Sequence, residues 1–196
     1  MVWLEVESKI KLKDSQVAAL RKKIKEIAKF KKKGQKADDY FAIKQKGYPK
    51  KAFRFRTMKD GVEVTFKKHL KKYWTKYVVV KKEFEFTLDK KEDRESLMEL
   101  FEDFNFEEWV RKVKRNETYT HKKRKGLSIE INFVKHLGYF IEMEFLCQKK
   151  DIKKGIKAIM DTIEELGIDL RQVNNVGYTK MLWKKHTLDK RDFIDQ

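Results

Sequence analysis

The sequence has a single cysteine, Cys147, which excludes an internal disulfide and any multi-cysteine zinc site. An intracellular setting is therefore expected. In Phe145-Leu146-Cys147 the thiol reads as a small buried hydrophobe and not as a nucleophile. Long hydrophobic runs are also missing: no stretch approaches the roughly 18 apolar residues of a membrane-spanning helix. Glu5, Glu7, Lys9 and Lys11 interrupt the first apolar stretch, so it does not read as a secretory signal. These absences predict a soluble, cytoplasmic protein with no membrane partner. His69, His121, His136 and His186 follow no metal-ligand spacing and read as surface residues. Neither a low-complexity linker nor a repeat period is present, and a single domain over residues 1–196 is expected, as a monomer or homodimer.

Acidic residues are the minority charge. Lys and Arg number 49 against 31 Asp and Glu, a formal net charge of +18, which favours anionic ligands: nucleic acid, an acidic membrane surface or a small phosphate compound. The lysines are scattered from end to end, so part of the excess reads as solubility or as adaptation to high temperature. The 40% hydrophobic and 13% aromatic content is enough for a core, and the 41% charged content makes the remaining surface ionic.

Apolar spacing predicts three helices. The first is capped by Asp14 or Ser15, carries Val17, Leu20, Ile24 and Ile27, and runs to Phe30 with a stop at Gly34. The second follows Asp89 with Leu97, Leu100, Phe101 and Phe104 buried. The third follows Asp151 with Ile152, Ile156, Ile159, Met160 and Ile163, ending before Gly167. Strands are expected at 4–10, 38–48, 53–58, 62–67, 77–88, 109–120, 127–134 and 139–146, with Asp60-Gly61 as a hairpin turn. Residues 176–183 read as a short helix or a docking segment. Short connections require antiparallel pairing. The expected fold is α+β: a closed or nearly closed eight-stranded antiparallel β-barrel with flanking helices.

The strands carry an unusual alternation. In Leu4-Glu5-Val6-Glu7-Ser8-Lys9-Ile10 two acids and a base point to one face, and carboxylates two residues apart on a strand sit roughly 7 Å from each other. Turned inward, such a pair needs a cation beside it. Glu83-Phe84-Glu85 and Glu142-Met143-Glu144 repeat the pattern, while Arg54-Phe55-Arg56 and Thr65-Phe66-Lys67 supply the opposite sign. Ordinary small barrels fill the lumen with apolar side chains, so the alternation predicts a charged tunnel instead.

Taken together these runs resemble the CYTH superfamily, the triphosphate tunnel metalloenzymes, which groups class IV adenylyl cyclases with thiamine triphosphatases. Glu5-x-Glu7-x-Lys9 matches its signature strand. Asp39-Tyr40-Phe41 is similar to the family's Asp-x-Tyr-Phe, Phe53-Arg54-Phe55-Arg56 to its Leu-Arg-x-Arg, and Thr65-Phe66-Lys67 to its Thr-x-Lys. Glu83-x-Glu85 resembles its next acidic pair, Lys114-Arg115 before Tyr119 its basic strand, and the run from Gly138 to Glu144 its Gly-x-Phe-x-Glu-x-Glu.

The resemblance implies an enzyme acting on inorganic triphosphate, thiamine triphosphate or a nucleoside triphosphate with Mg2+ or Mn2+. A triphosphate carries about four negative charges, and arginine adds bidentate geometry to phosphate oxygens. Lys9, Arg54, Arg56, Lys67 and Lys114 or Arg115 are the implied cradle. Carboxylates hold phosphate only through a hard metal, which makes Glu5, Glu7, Glu142 and Glu144 the implied ligands, with Glu5, Glu7 and Lys9 closest to the chemistry. Relatives commonly carry an aspartate where this chain has Asn132. An amide oxygen lacks the charge that tightens a metal site, and Glu130 on the same face is the substitute.

Other readings remain beside this one. Glu83 and Glu85 also fit a solvated edge strand paired with Arg54 and Arg56. The same tunnel suits adenylyl cyclase chemistry as well as hydrolysis. A nucleic-acid or polyphosphate binding module is a third reading, favoured by the charge and by Tyr73-Trp74 among lysines, which equally reads as an aromatic loop at a tunnel mouth.

Overall fold

The computed structural model describes residues 3–188, with side chains to residue 185, so the surface placement expected for the His186 side chain lies outside it. The described elements run β1 (Leu4–Lys11), α1 (Asp14–Ile27), β2 (Ala28–Ile43), β3 (Phe53–Met58), β4 (Gly61–His69), β5 (Val79–Leu88) and α2 (Lys91–Asp103). They continue through β6 (Phe106–His121), β7 (Leu127–Val134), β8 (Gly138–Cys147), α3 (Ile152–Glu165) and α4 (Tyr178–Leu188). The strands close into an eight-stranded antiparallel barrel in the order β1-β5-β4-β3-β2-β6-β7-β8, with the helices flanking it. Closure gives each strand a paired neighbour on both sides. Among the described residues no helix is long and apolar enough to cross a membrane.

The chain packs as two compact units. One comprises residues up to Gln35, Lys68–Glu83 and Lys114–Asn175; the other Lys36–Lys67, Phe84–Val113 and residues from Val176 onward. In the first, Val17, Leu20 and Ile24 of α1 and Ile152, Ala158, Ile159 and Ile163 of α3 bury against Leu4, Val6, Ile10, Ile129, Ile131, Ile141, Met143 and Phe145. Gly155 lets α3 lie close to the sheet: a Cβ there would stand 2.9 Å from the Phe145 ring and 3.2 Å from Val6. In the second unit, Phe101 of α2 packs with Phe41, Phe53, Phe55 and Phe106, and its ring stacks on Phe106 at 4.7 Å.

Four expectations require correction. The first helix ends at Ile27, short of Phe30 and Gly34, because Ala28 turns extended (φ −134°) and β2 starts there. The backbone N–H of Lys122, just past the end of β6, donates to Ile27 O at 2.9 Å, and Phe30 packs edge-on against Tyr119, so strand pairing overrides helical periodicity. Asp14 and Ser15 do not cap this helix but lie inside it: the cap is Lys13, whose backbone N–H donates to the Gln16 side-chain oxygen at 2.9 Å. On α2, Phe101 is buried but Leu100 and Phe104 are exposed, since one helical stripe suffices to cover the aromatic cluster. His121 is buried, not at the surface, and its Nδ1 accepts from the backbone N–H of Lys123 and Arg124, both at 3.1 Å.

Candidate functional site

Because Leu4, Val6 and Ile10 are committed to the helix-covered core, alternation turns Glu5, Glu7 and Lys9 to the opposite face of the sheet. The neighbouring strands obey the same rule. Ile141, Met143 and Phe145 leave Glu142 and Glu144 on that face; Ile129 and Ile131 leave Glu130 and Asn132; Tyr119 leaves Lys114, Asn116 and Thr118; Val80 leaves Lys81 and Glu83. In a closed barrel the face away from the helices is the lumen, and here it is charged.

Register draws these groups together. Glu5 pairs with Lys81 across β1 and β5, Glu7 with Glu144 across β1 and β8, and Lys9, Glu142, Glu130 and Thr118 form one row across four strands. Lys81 Nζ donates to both Glu5, at 3.4 Å, and Glu7. Lys9 Nζ lies 3.8 Å from Glu7 and 3.7 Å from Glu142. Lys114 Nζ donates to Glu130 at 2.9 Å and to Glu142 at 3.4 Å. Glu5, Glu7, Lys9, Lys114, Asn116 and Asn132 are all buried. Asn132 Nδ2 donates to Glu142 Oε2 at 2.7 Å, while Asn132 Oδ1 and the Oδ1 of its register partner Asn116 are buried without a hydrogen-bond partner.

The edge of β1 beyond its pairing with β5 is closed by the segment after α3. The Lys9 backbone N–H donates to Asn175 Oδ1 at 2.9 Å, Asn174 N–H donates to Lys9 O at 2.7 Å, and Ile10 bridges Val173. This clamp fixes the backbone that carries Lys9.

The second unit holds its own ionic cluster on strands β2, β3, β4, β5 and β6. Arg54 Nη2 donates to Glu63 Oε1 at 2.5 Å and Thr65 Oγ1 at 2.7 Å, and Glu85 lies 3.7 Å away. Arg56 donates to Asp38 at 2.6 Å and Glu63 at 3.1 Å. Lys112 lies 2.7 Å from Asp38 Oδ2 and donates to the Tyr40 hydroxyl at 3.1 Å. Burial pushes the Asp38 carboxyl pKa up, but Lys112 and Arg56 outweigh it and hold the group well below the usual carboxylate range. Burial likewise works against the Arg56 charge, and Asp38 raises its pKa above the ordinary value. Lys67 shares the strand face of Glu63 and Thr65 and is half-buried.

The predicted residues are not all on one face. Lys114 faces its carboxylates, whereas Arg115 points to the other side of β6, its guanidinium 4.9 Å from the Phe133 ring centre. Glu83 shares the face of Lys81 and Glu5, and Glu85, about half exposed, approaches Arg54. The indole N–H of Trp74 donates to Val80 O at 3.0 Å and Tyr73 packs against the core, so both rings serve the loop's own packing. Cys147 is buried in the core, and burial pushes its thiol up.

Sequence reasoning overlooked Lys81, Asp38 and Lys112. Their signal was parity: Lys81 alternates with Glu83 and Glu85, Lys112 with Lys114, and Asp38 with Tyr40. Asp38, not Asp39, is the buried carboxylate of that strand.

Among the described residues no three His, Cys, Asp or Glu side chains are gathered as a ready metal site. The donor chemistry nonetheless fits a hard divalent cation, since every acid on this face offers carboxylate oxygen and Asn132 adds an unpartnered amide oxygen. Glu5, Glu7, Glu130, Glu142 and Glu144 face Lys9, Lys81 and Lys114, a formal surplus of two negative charges within the set.

Comparison with known proteins agrees with this architecture. A protein from Pyrococcus horikoshii OT3 superposes with a TM-score of 0.70 at 25% identity, covering 92% of this chain and 99% of the other. A candidate adenylyl cyclase from Hippeastrum with a dominant triphosphatase activity has a TM-score of 0.59 at 14% identity, over 94% and 96% of the two chains. The triphosphatase of the Mimivirus capping enzyme has a TM-score of 0.52 at 14% identity, over 84% and 89%. No curated protein sequence gives a significant match. Residues 4–178, which contain every strand of the barrel, match the CYTH domain, and the chain belongs to that family.

Proposed function

We propose that this chain is a divalent-metal-dependent enzyme acting on a triphosphate-containing small molecule, and that it hydrolyses inorganic triphosphate, thiamine triphosphate or a nucleoside triphosphate. One observation carries the reading: Glu5-x-Glu7-x-Lys9 and Glu142-x-Glu144 lie in register on adjacent strands, on the face opposite the core, in a CYTH chain.

In this reading Glu5, Glu7, Glu142 and Glu144 would hold Mg2+ or Mn2+, with Glu130 and the Asn132 amide oxygen on the same strand face. A divalent ion held there would supply positive charge to phosphate oxygens and Lewis acidity for activating water. Lys9 and Lys114 neutralise the acids without substrate and offer ammonium groups to its phosphates. Arg54, Arg56 and Lys67 are the further proposed phosphate-binding cations; Arg115, stacked on Phe133, is not among them. Arg56 is held in place by Asp38, so its fork is oriented before any anion arrives. Phosphoryl transfer demands little covalent work, and fixed charge and position supply most of the rate.

Product analysis with Mg2+ or Mn2+ tests this. Inorganic triphosphate, thiamine triphosphate and ATP are each incubated with the protein; release of phosphate is expected from at least one. Cyclic AMP and pyrophosphate from ATP would replace hydrolysis by cyclase chemistry. No metal-dependent turnover, together with nucleic-acid binding that collapses between low and physiological salt, would overturn the enzyme reading.

A further inference from the structure

We infer that Lys81 is a built-in counter-ion occupying the cation position of the Glu5/Glu7 pair, so that a divalent metal takes this pair only by displacing the Lys81 ammonium, which thereby sets the site's metal affinity. The inference rests on the proposed metal reading and adds to it a regulatory element supplied by β5.

Three observations carry it. Lys81 stands directly opposite Glu5 in the register of β1 and β5, on the strand face shared with the acids. Its Nζ bonds both carboxylates of the signature strand, Glu5 at 3.4 Å and Glu7 more closely. All three side chains are shielded from water, with 12% exposure for Lys81, 3% for Glu5 and 8% for Glu7. An ammonium shared by two adjacent carboxylates stands where a bridging cation would, and in a water-poor setting the two compete for the same oxygens. The ammonium is tethered, so it competes at a fixed local concentration that dilution cannot lower. Once displaced, it adds one positive charge beside a metal that binds an anionic substrate. Lys9 differs in placement: its ammonium stands 3.8 Å from Glu7 and 3.7 Å from Glu142, bridging β1 to β8, whereas Lys81 comes from β5.

The test is equilibrium binding of Mn2+ alone, followed by electron paramagnetic resonance of the free ion, to the wild-type protein, Lys81→Met and Lys81→Arg. Lys81→Met should bind at least about tenfold more tightly, because a like charge within a few ångströms of the ion has been removed. Lys81→Arg should stay as weak as wild type. Equal or weaker binding by folded Lys81→Met overturns the inference while leaving the metal reading intact. Absence of Mn2+ binding in wild type and both variants overturns the metal reading, and the inference with it.

Should Lys81→Met not fold, the wild-type protein answers the question through reductive methylation read by mass spectrometry. Lys81 should be protected without metal and modified when Mg2+ is bound. Unchanged protection at a Mg2+ concentration that saturates the site would equally overturn the displacement.

Discussion

Asn132 and Glu142 are joined diagonally across β7 and β8 by a 2.7 Å hydrogen bond from the Asn132 amide to a Glu142 carboxylate oxygen. The amide donates at a place where a carboxylate would repel, so Asn132 stabilises the acid row without metal while contributing no charge to bind one. Asn132→Asp should therefore have opposite effects in the two states. Without metal, a buried carboxylate placed against the partly buried Glu142 should lower the melting temperature; with Mg2+, that loss should be recovered, and the metal concentration for half-maximal rate should fall. Thermal denaturation and initial rates across a metal titration check both. An unchanged metal dependence would mean that Glu130 already serves in that position.

Glu5→Gln and Glu144→Gln keep volume and hydrogen-bonding capacity while removing a charge. Each should reduce metal-dependent turnover on the order of a hundredfold, as expected when several kcal/mol of metal-borne stabilisation is weakened. Circular dichroism should be unaltered. Near-normal rates with normal Mg2+ dependence in both variants would remove these acids from the ligand set.

Arg56→Ala should act on the fold as well as on phosphate binding, because Arg56 is one of two cations holding the fully buried Asp38. Breaking such a pair costs about 3–5 kcal/mol in chemical denaturation. The double variant Arg56→Ala with Asp38→Asn should recover part of that stability but none of the activity, with KM raised and kcat lowered together. Recovery of activity with stability would reduce Arg56 to a structural residue.

Asp38 also predicts an acid limit. Lys112 and Arg56 hold its carboxyl well below the usual carboxylate range in the folded state, so the fold favours the ionised form. That contribution is present above about pH 4 and is lost as pH falls further toward the folded value. Asp38→Asn should lower stability at neutral pH and flatten the acid limb of the stability profile. A limb of unchanged steepness would assign acid unfolding to other carboxylates.

Gly155→Ala tests the packing of α3 on the sheet. The added methyl would meet the Phe145 ring at 2.9 Å, and overpacking of this kind costs about 1–3 kcal/mol, more than the gain in helix propensity. A stabilised variant would show that α3 can shift outward without loss.

The acid and base positions were legible in the sequence because a strand has period two: once Val6, Ile10, Met143 and Phe145 read as core, Glu5, Glu7, Lys9, Glu142 and Glu144 had to share the other face. A barrel was legible from the short connections, which require antiparallel neighbours, together with the charged positions that alternate along most of the strands. Periodicity failed where one residue type suits two elements. The run from Ala28 to Phe30 continues a helical pattern, and only pairing with a partner distant in sequence makes it strand.

What the sequence alone determined was which residues share a face; which of them touch was decided by the tertiary structure. Register across β1, β5 and β8 places the Lys81 ammonium between Glu5 and Glu7 and sets Glu7 beside Glu144, and no local pattern encodes that offset. Strand alternation repeats every two residues whatever lies opposite, whereas a contact between charges depends on the pairing of strands dozens of residues apart, which the burial of the whole core selects.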